Sequence, residues 1–85
     1  MEERLILGIH ATEVLEQREI RLEWVARVLA EPLLVRDDPK DPSLVQAFGR
    51  IRERGGRVLR VVYTQNEGSI YLVTVFFDRS MKGKL

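Results

Sequence analysis

His10 is the only histidine in this 85-residue chain, and no cysteine accompanies it. A lone imidazole can move protons near neutral pH without help from a cofactor. It can equally sit bonded to a neighbouring carbonyl as a structural group. Arg18, Arg60 and Thr74 are the residues that would complete a catalytic constellation around it. Arginine holds phosphate oxygens bidentately, and a hydroxyl beside it adds one more hydrogen bond. Arg60 is the most telling of these, because it lies in an apolar run between Val58 and Val62. A guanidinium in such a strand is costly unless paired. In the structural reading Glu53 or Asp78 pairs with it; in the functional reading it awaits an anionic ligand.

A second constellation is basic. Arg50, Arg52, Arg54 and Arg57 cluster around Gly55-Gly56, with Glu53 the single acid among them. A basic hairpin of this kind can follow a phosphate backbone and marks these four as candidate nucleic-acid-binding residues. It can also be a solvated edge whose charges block unwanted strand pairing. Tyr63 and Tyr71 could stack on bases, but as cross-strand neighbours they are expected in the core.

Other chemistries lack their residues. One histidine and no cysteine do not make a zinc site. The run Asp37-Asp38-Pro39-Lys40-Asp41 has neither the glycine nor the distal glutamate of a calcium loop. There is no glycine-rich strand-to-helix phosphate loop and no serine in a nucleophile elbow. No cofactor and no metal are expected.

The elements that position these side chains can be read from patterning. Leu5, Ile6, Leu7 and Ile9 form a first strand. Thr12 is the expected N-cap of a first helix, with Glu13 in its opening turn. That places His10 at the junction of strand and helix. The pattern breaks at Arg18-Glu19-Ile20, and a second helix runs from about Leu22 to Ala30. Leu22, Val25, Ala26 and Leu29 make its apolar stripe, widened by Trp24 and Val28. Pro32 ends it. Leu33-Leu34-Val35 is a candidate short strand, and residues 37–43 are a loop rich in proline and aspartate. Three strands follow: Leu44 to Arg54, Val58 to Thr64 and Ser69 to Phe77. The expected fold class is α+β, with two short helices on one face of a mostly antiparallel sheet of about four strands, in the order β-α-α-β-β-β.

Turn chemistry predicts the registers. A two-residue Gly55-Gly56 turn pairs Arg54 with Arg57, Ile51 with Arg60 and Phe48 with Tyr63. A three-residue turn at Asn66-Glu67-Gly68 pairs Tyr63 with Tyr71, Arg60 with Thr74 and Val58 with Phe76. One face then carries Phe48, Leu59, Val61, Tyr63, Tyr71, Val73, Val75 and Phe77, and the helices are expected there. Gly49, Ile51, Arg60, Thr74 and Phe76 fall on the other face. Its apolar character suggests a covering partner.

The length permits one domain over residues 1–85, ordered over about 4–79, with 80–85 as a fraying tail. Apolar residues make up 45% of the chain, enough for a core that no disulfide reinforces. Small domains without such staples gain stability by association, so a homo-oligomer or complex is expected. No segment approaches the ~20 apolar residues of a membrane helix. Met1-Glu2-Glu3-Arg4 has the wrong charge for a signal peptide. A cytoplasmic protein with no membrane contact is the expectation. The net charge is +1, but residues 1–31 hold seven acids against four bases, and residues 50–85 hold eight bases against three acids. The helical end is acidic and the sheet end basic.

His10-Ala11, Arg18, Ile20, Val25, Pro32, Gly49, Arg60-Val61-Val62 and Val73-Thr74-Val75, in that order, resemble a widespread family of small bacterial and phage proteins, a domain family of unknown function. Its pattern opens with a strand and His-Ala. It continues with Arg-Gly-Ile before a second helix that ends near proline, and closes with two such strands. The resemblance covers about Leu5 to Arg79. Glu19 stands where the pattern has glycine, and Arg21 where a serine cap is usual. The family is similar in fold to the RelE/ParE and BrnT toxins. That likeness implies a toxin-like, metal-independent ribonuclease or RNA-binding protein with an antitoxin-like partner. His10 would move protons, and Arg18 and Arg60 would stabilise the phosphate during attack by the ribose 2′-hydroxyl. The competing reading is a non-catalytic module that dimerises or binds a protein through its exposed sheet face.

Overall fold

The computed structural model describes residues 4–85. Five strands form one mixed sheet: β1 (Arg4–Leu7), β2 (Leu34–Asp37), β3 (Val45–Ile51), β4 (Arg57–Asn66) and β5 (Ser69–Phe77). Helices α1 (Ile9–Gln17) and α2 (Leu22–Ala30) follow β1 in the chain. The spatial strand order is β1-β5-β4-β3-β2. β1 lies parallel to β5, and every other pairing is antiparallel. The class is α+β as expected, but Leu34–Asp37 is a full member of the sheet, so the strands number five. Among the described residues no helix is long and apolar enough to cross a membrane.

Both helices cover one face. Val14 and Leu15 of α1, and Trp24, Val25 and Val28 of α2, pack on Ala47, Ile51, Leu59, Val61, Tyr63, Leu72 and Val75 of the sheet. The buried stripe of α2 is centred one residue further round than the spacing predicts: Leu22 is 45% exposed and Ala26 is exposed. Trp24, the largest side chain available, takes the core position instead. Gly49 of β3 lets α2 approach closely, since a Cβ there would lie 2.9 Å from Val28 Cγ2.

α1 begins earlier than expected. Gly8 is its N-cap, and Thr12 lies inside the helix with its hydroxyl bonded back to the Gly8 carbonyl at 3.0 Å. α1 ends in a Schellman motif. Glu19 adopts a left-handed φ of 54°, Ile20 N–H donates to Leu15 O at 2.9 Å and Glu19 N–H donates to Glu16 O at 3.2 Å. The buried Ile20 supplies the apolar contact such a cap carries.

Both hairpins depart from the turn arithmetic. Arg52–Arg54 form a 3-10 turn, so Ile51 pairs with Arg57 and Phe48 with Arg60. Gly55 and Gly56 still take positive φ, but inside a longer loop. The three-residue change in register turns β3 over. Ile51 becomes fully buried beneath the helices, and Phe48 moves to the opposite face. The second hairpin turns on Glu67-Gly68 alone, with Asn66 opposite Ser69. A bulge at Val73, opposite Val62 and Tyr63, restores the face parity beyond it. Arg60 and Thr74 therefore share a face as expected, opposite Phe76 and Val62 respectively. Tyr71, expected in the core beside Tyr63, is on the other face and 40% exposed.

Past β5 the chain makes a 3-10 turn at Arg79–Met81. Met81 is buried, and Leu85 packs with it on Phe48, Val58 and Leu34, forming a small second core on the helix-free face. Residues 80–85, expected to fray, are placed against this face.

Candidate nucleic-acid interface

Alternation along each strand decides what the helix-free face presents. Leu5 and Leu7 pack toward the helices, so Arg4 and Ile6 point away from them. On β2 and β3 the outward residues are Leu34 and Arg36, then Gln46, Phe48 and Arg50. β4 and β5 contribute Arg60, Val62 and Thr64, then Tyr71, Thr74 and Phe76. Arginine recurs across this face, and none of the strand residues on it is acidic. Among the described residues the acids lie on the helices and the connecting segments, except Asp37, which ends β2 on the other face.

Arg60 is the centre. Its guanidinium is 5.0 Å from the Phe48 ring centroid and 5.2 Å from that of Phe76, its two cross-strand neighbours. Arg36 covers the far side of Phe48 at 5.0 Å, and Arg18 lies 5.9 Å from Phe76. The result is an alternating row, Arg18–Phe76–Arg60–Phe48–Arg36, across the sheet. Such stacking is favourable most of all where the cation is partly desolvated. Arg18 Nη1 also donates to Val75 O at 2.8 Å, and Arg36 Nε donates to Gln46 Oε1 at 2.9 Å.

Of the two acids considered for Arg60, Asp78 pairs with it; the side chains are 19% and 7% exposed. Burial alone raises the Asp78 pKa, but hydrogen bonds from the Ser80 hydroxyl and backbone N–H, with the Arg60 charge, outweigh it and hold the carboxyl below its ordinary value. Glu53 instead accepts two 2.8 Å hydrogen bonds from Arg27 on α2, which lower its pKa to about 2.

Next to this pair, at the end of the sheet, is a cleft of about 420 Å³. Arg50, Arg57, Arg79 and Lys82 line it around Gly55-Gly56, and Asp78 is its single acid. The glycines leave the floor open, and Arg60 already neutralises the acid. The hairpin arginines thus separate. Arg50 and Arg57 line the cleft, with Arg50 donating to the Leu85 carbonyl and Arg57 stacked 4.6 Å over Phe77. Arg54 turns toward the helices, 5.3 Å over Trp24, and donates to Glu19 O at 2.8 Å. Arg52 is exposed and does not line the cleft.

Arg18 and Arg60 come together on the Phe76 ring, and Thr74 stands two residues before Phe76 on the same face, opposite Val62. His10 does not join them: it is exposed in the first turn of α1, and no hydrogen bond or ion pair links it to those residues among the described ones. It precedes Arg18 by eight positions, roughly 12 Å along the helix axis. Sequence reasoning missed Arg4, Arg36, Arg79 and Lys82. Alternation in β1 and β2 could have found the first two. Lys82 was hidden by reading residues 80–85 as a loose tail, and Arg79, the last residue before that tail, carried no pattern of its own. Among the described residues no cluster of three or more His, Asp or Glu side chains is placed to hold a metal ion.

On the helical side a shallow groove of about 660 Å³ is edged by Glu16, Glu19, Glu23 and Glu53, with Arg21 and Arg54 among them. Glutamates outnumber arginines at this groove, whereas basic residues outnumber the one acid at the cleft.

No curated protein and no solved structure matches the chain. The family model described as a domain of unknown function, DUF4258, matches residues 8–77, from the N-cap of α1 to the last residue of β5, and the chain belongs to that family.

Proposed function

We propose that this domain binds the phosphate backbone of RNA through the helix-free face of its sheet and the basic cleft at the end of that face. The observation that carries this reading is a strand surface with arginine and without an acid, leading into the cleft of Arg50, Arg57, Arg79 and Lys82. Phosphate contacts of this kind supply affinity without requiring a sequence. Two helices on one face of a mostly antiparallel sheet, with arginines on the free face, support the likeness to RelE/ParE and BrnT toxins. In such a toxin–antitoxin-type system an antitoxin-like partner would cover this same face.

Binding fits the geometry better than cleavage. A 2′-hydroxyl attack assisted by His10 and Arg60 needs both at one phosphate. Asp78 occupies Arg60, and His10 stands apart on α1. The test is to incubate purified protein with labelled RNA in EDTA, following retention and chain length together. Retention of full-length RNA by both wild type and His10→Ala is expected. Shortening by the wild type, lost in a folded His10→Ala variant, would restore the ribonuclease reading.

A non-catalytic protein-interaction role draws on one specific feature. Leu33 and Val35 at the outer strand β2 are 57% and 49% exposed, and an unpaired edge can accept another strand. Light scattering across protein concentration would reveal the self-association this reading requires.

A further inference from the structure

Resting on that backbone-binding reading, we infer that the RNA bound is single-stranded and that Tyr71 stacks on one of its bases. The half of the helix-free face built from β1, β5 and the far end of β4 is covered neither by the helices nor by the C-terminal turn, which packs on Phe48 and Val58 instead. Tyr71 stands in that open half at 40% exposure. Ile6 is its partner on β1 and Thr64 its partner on β4.

The bulge at Val73 is what presents this ring. Without it, Tyr71 and Thr74 could not both face away from the helices. Basic groups stand at both ends of the path. Arg4 precedes Ile6 on the same face of β1, and Arg79 and Lys82 line the cleft beyond β5. The strand rise separates Tyr71 from Arg79 by roughly 25 Å. A flexible single strand can place its phosphates at both ends while turning a base onto the ring between them. A duplex keeps its bases stacked and offers only phosphates and sugars to such a flat face. Charge complementarity along this face, and its continuity with the cleft, favour nucleic acid over an apolar protein partner.

The test uses a short fluorescein-labelled oligouridylate, an abasic oligomer of the same length and a duplex RNA. Each is titrated by anisotropy against wild type, Tyr71→Ala, Tyr71→Phe and Arg79→Ala/Lys82→Ala, after circular dichroism confirms that all are folded. Tyr71→Ala is expected to weaken oligouridylate binding about tenfold. It should leave the abasic oligomer and the duplex unchanged, and Tyr71→Phe should retain wild-type affinity. The double variant is expected to weaken all three ligands. Unchanged oligouridylate binding by Tyr71→Ala, with all three weakened by the double variant, would overturn stacking and leave backbone binding standing. No effect of the double variant on any ligand, or no binding by the wild type, would overturn both.

Discussion

Asp78 holds a buried charge in place, and its consequences are local and measurable. Its carboxylate faces the Arg60 guanidinium and accepts from Ser80 through both hydroxyl and N–H. Removing one member of a buried pair leaves the other charge unmatched. Asp78→Ala is expected to destabilise the fold by about 3 kcal/mol in urea denaturation. Replacing both partners with apolar residues should cost much less, because the desolvated charges leave together. The pH dependence has the same origin. The Asp78 carboxyl is held below its ordinary value and that of Glu53 falls from 4.5 to about 2. A lowered folded-state pKa adds stability above the unfolded value, which is lost as pH falls through the folded one. Acid titration followed by circular dichroism should therefore show stability steady above pH 4.5 and declining from there toward about 2. Asp78→Asn should flatten part of that decline.

At the scale of elements, the end of α1 carries an avoidable strain. Glu19 is a side-chain-bearing residue in left-handed backbone, φ 54°, at the position where a Schellman cap favours glycine. The contacts this residue makes to Arg54, Glu16 and the turn are through its backbone. Glu19→Gly should keep them and raise stability by about 1 kcal/mol, read as a higher Tm. Gly49 is the converse case. Val28 leaves no room for a Cβ above it. Gly49→Val is expected to force β3 and α2 apart and destabilise by about 2 kcal/mol, measured by the same melt. These two positions show glycine absent where the backbone favours it, and present where packing requires it.

For the whole molecule, charge is distributed unevenly: glutamates outnumber arginines at the groove on the helical side, and basic residues outnumber the single acid at the cleft. Long-range fields of this kind steer an anionic polymer to one side only. Affinity for RNA should fall steeply with salt. A log–log plot of affinity against salt concentration should lose about 0.7 from its slope for each cleft charge removed. Glu16→Lys, on the far side, should leave the slope unchanged.

Much of this architecture was legible in the chain itself. Local chemistry determined α2 from Leu22 to Ala30, the stop at Pro32, the presence of two hairpins and the need of Arg60 for an acid, with Glu53 and Asp78 as the candidates between which only the fold chose. These follow from periodicity, turn residues and the cost of an unpaired buried guanidinium, all properties of short stretches. Which side chains share a face did not follow. The 3-10 turn at Arg52–Arg54 changed one register by three residues and sent Phe48 to the free face. The bulge at Val73 offset a two-residue turn, which left Tyr71 outside and Tyr63 in the core. Strand side chains alternate with a period of two, so a single added residue exchanges the faces. The burial of Ile51 under α2 and of Met81 on Phe48 is settled only when distant segments compete for the same core. Tertiary packing therefore decided where the arginines stand, and with them the surface proposed to bind RNA.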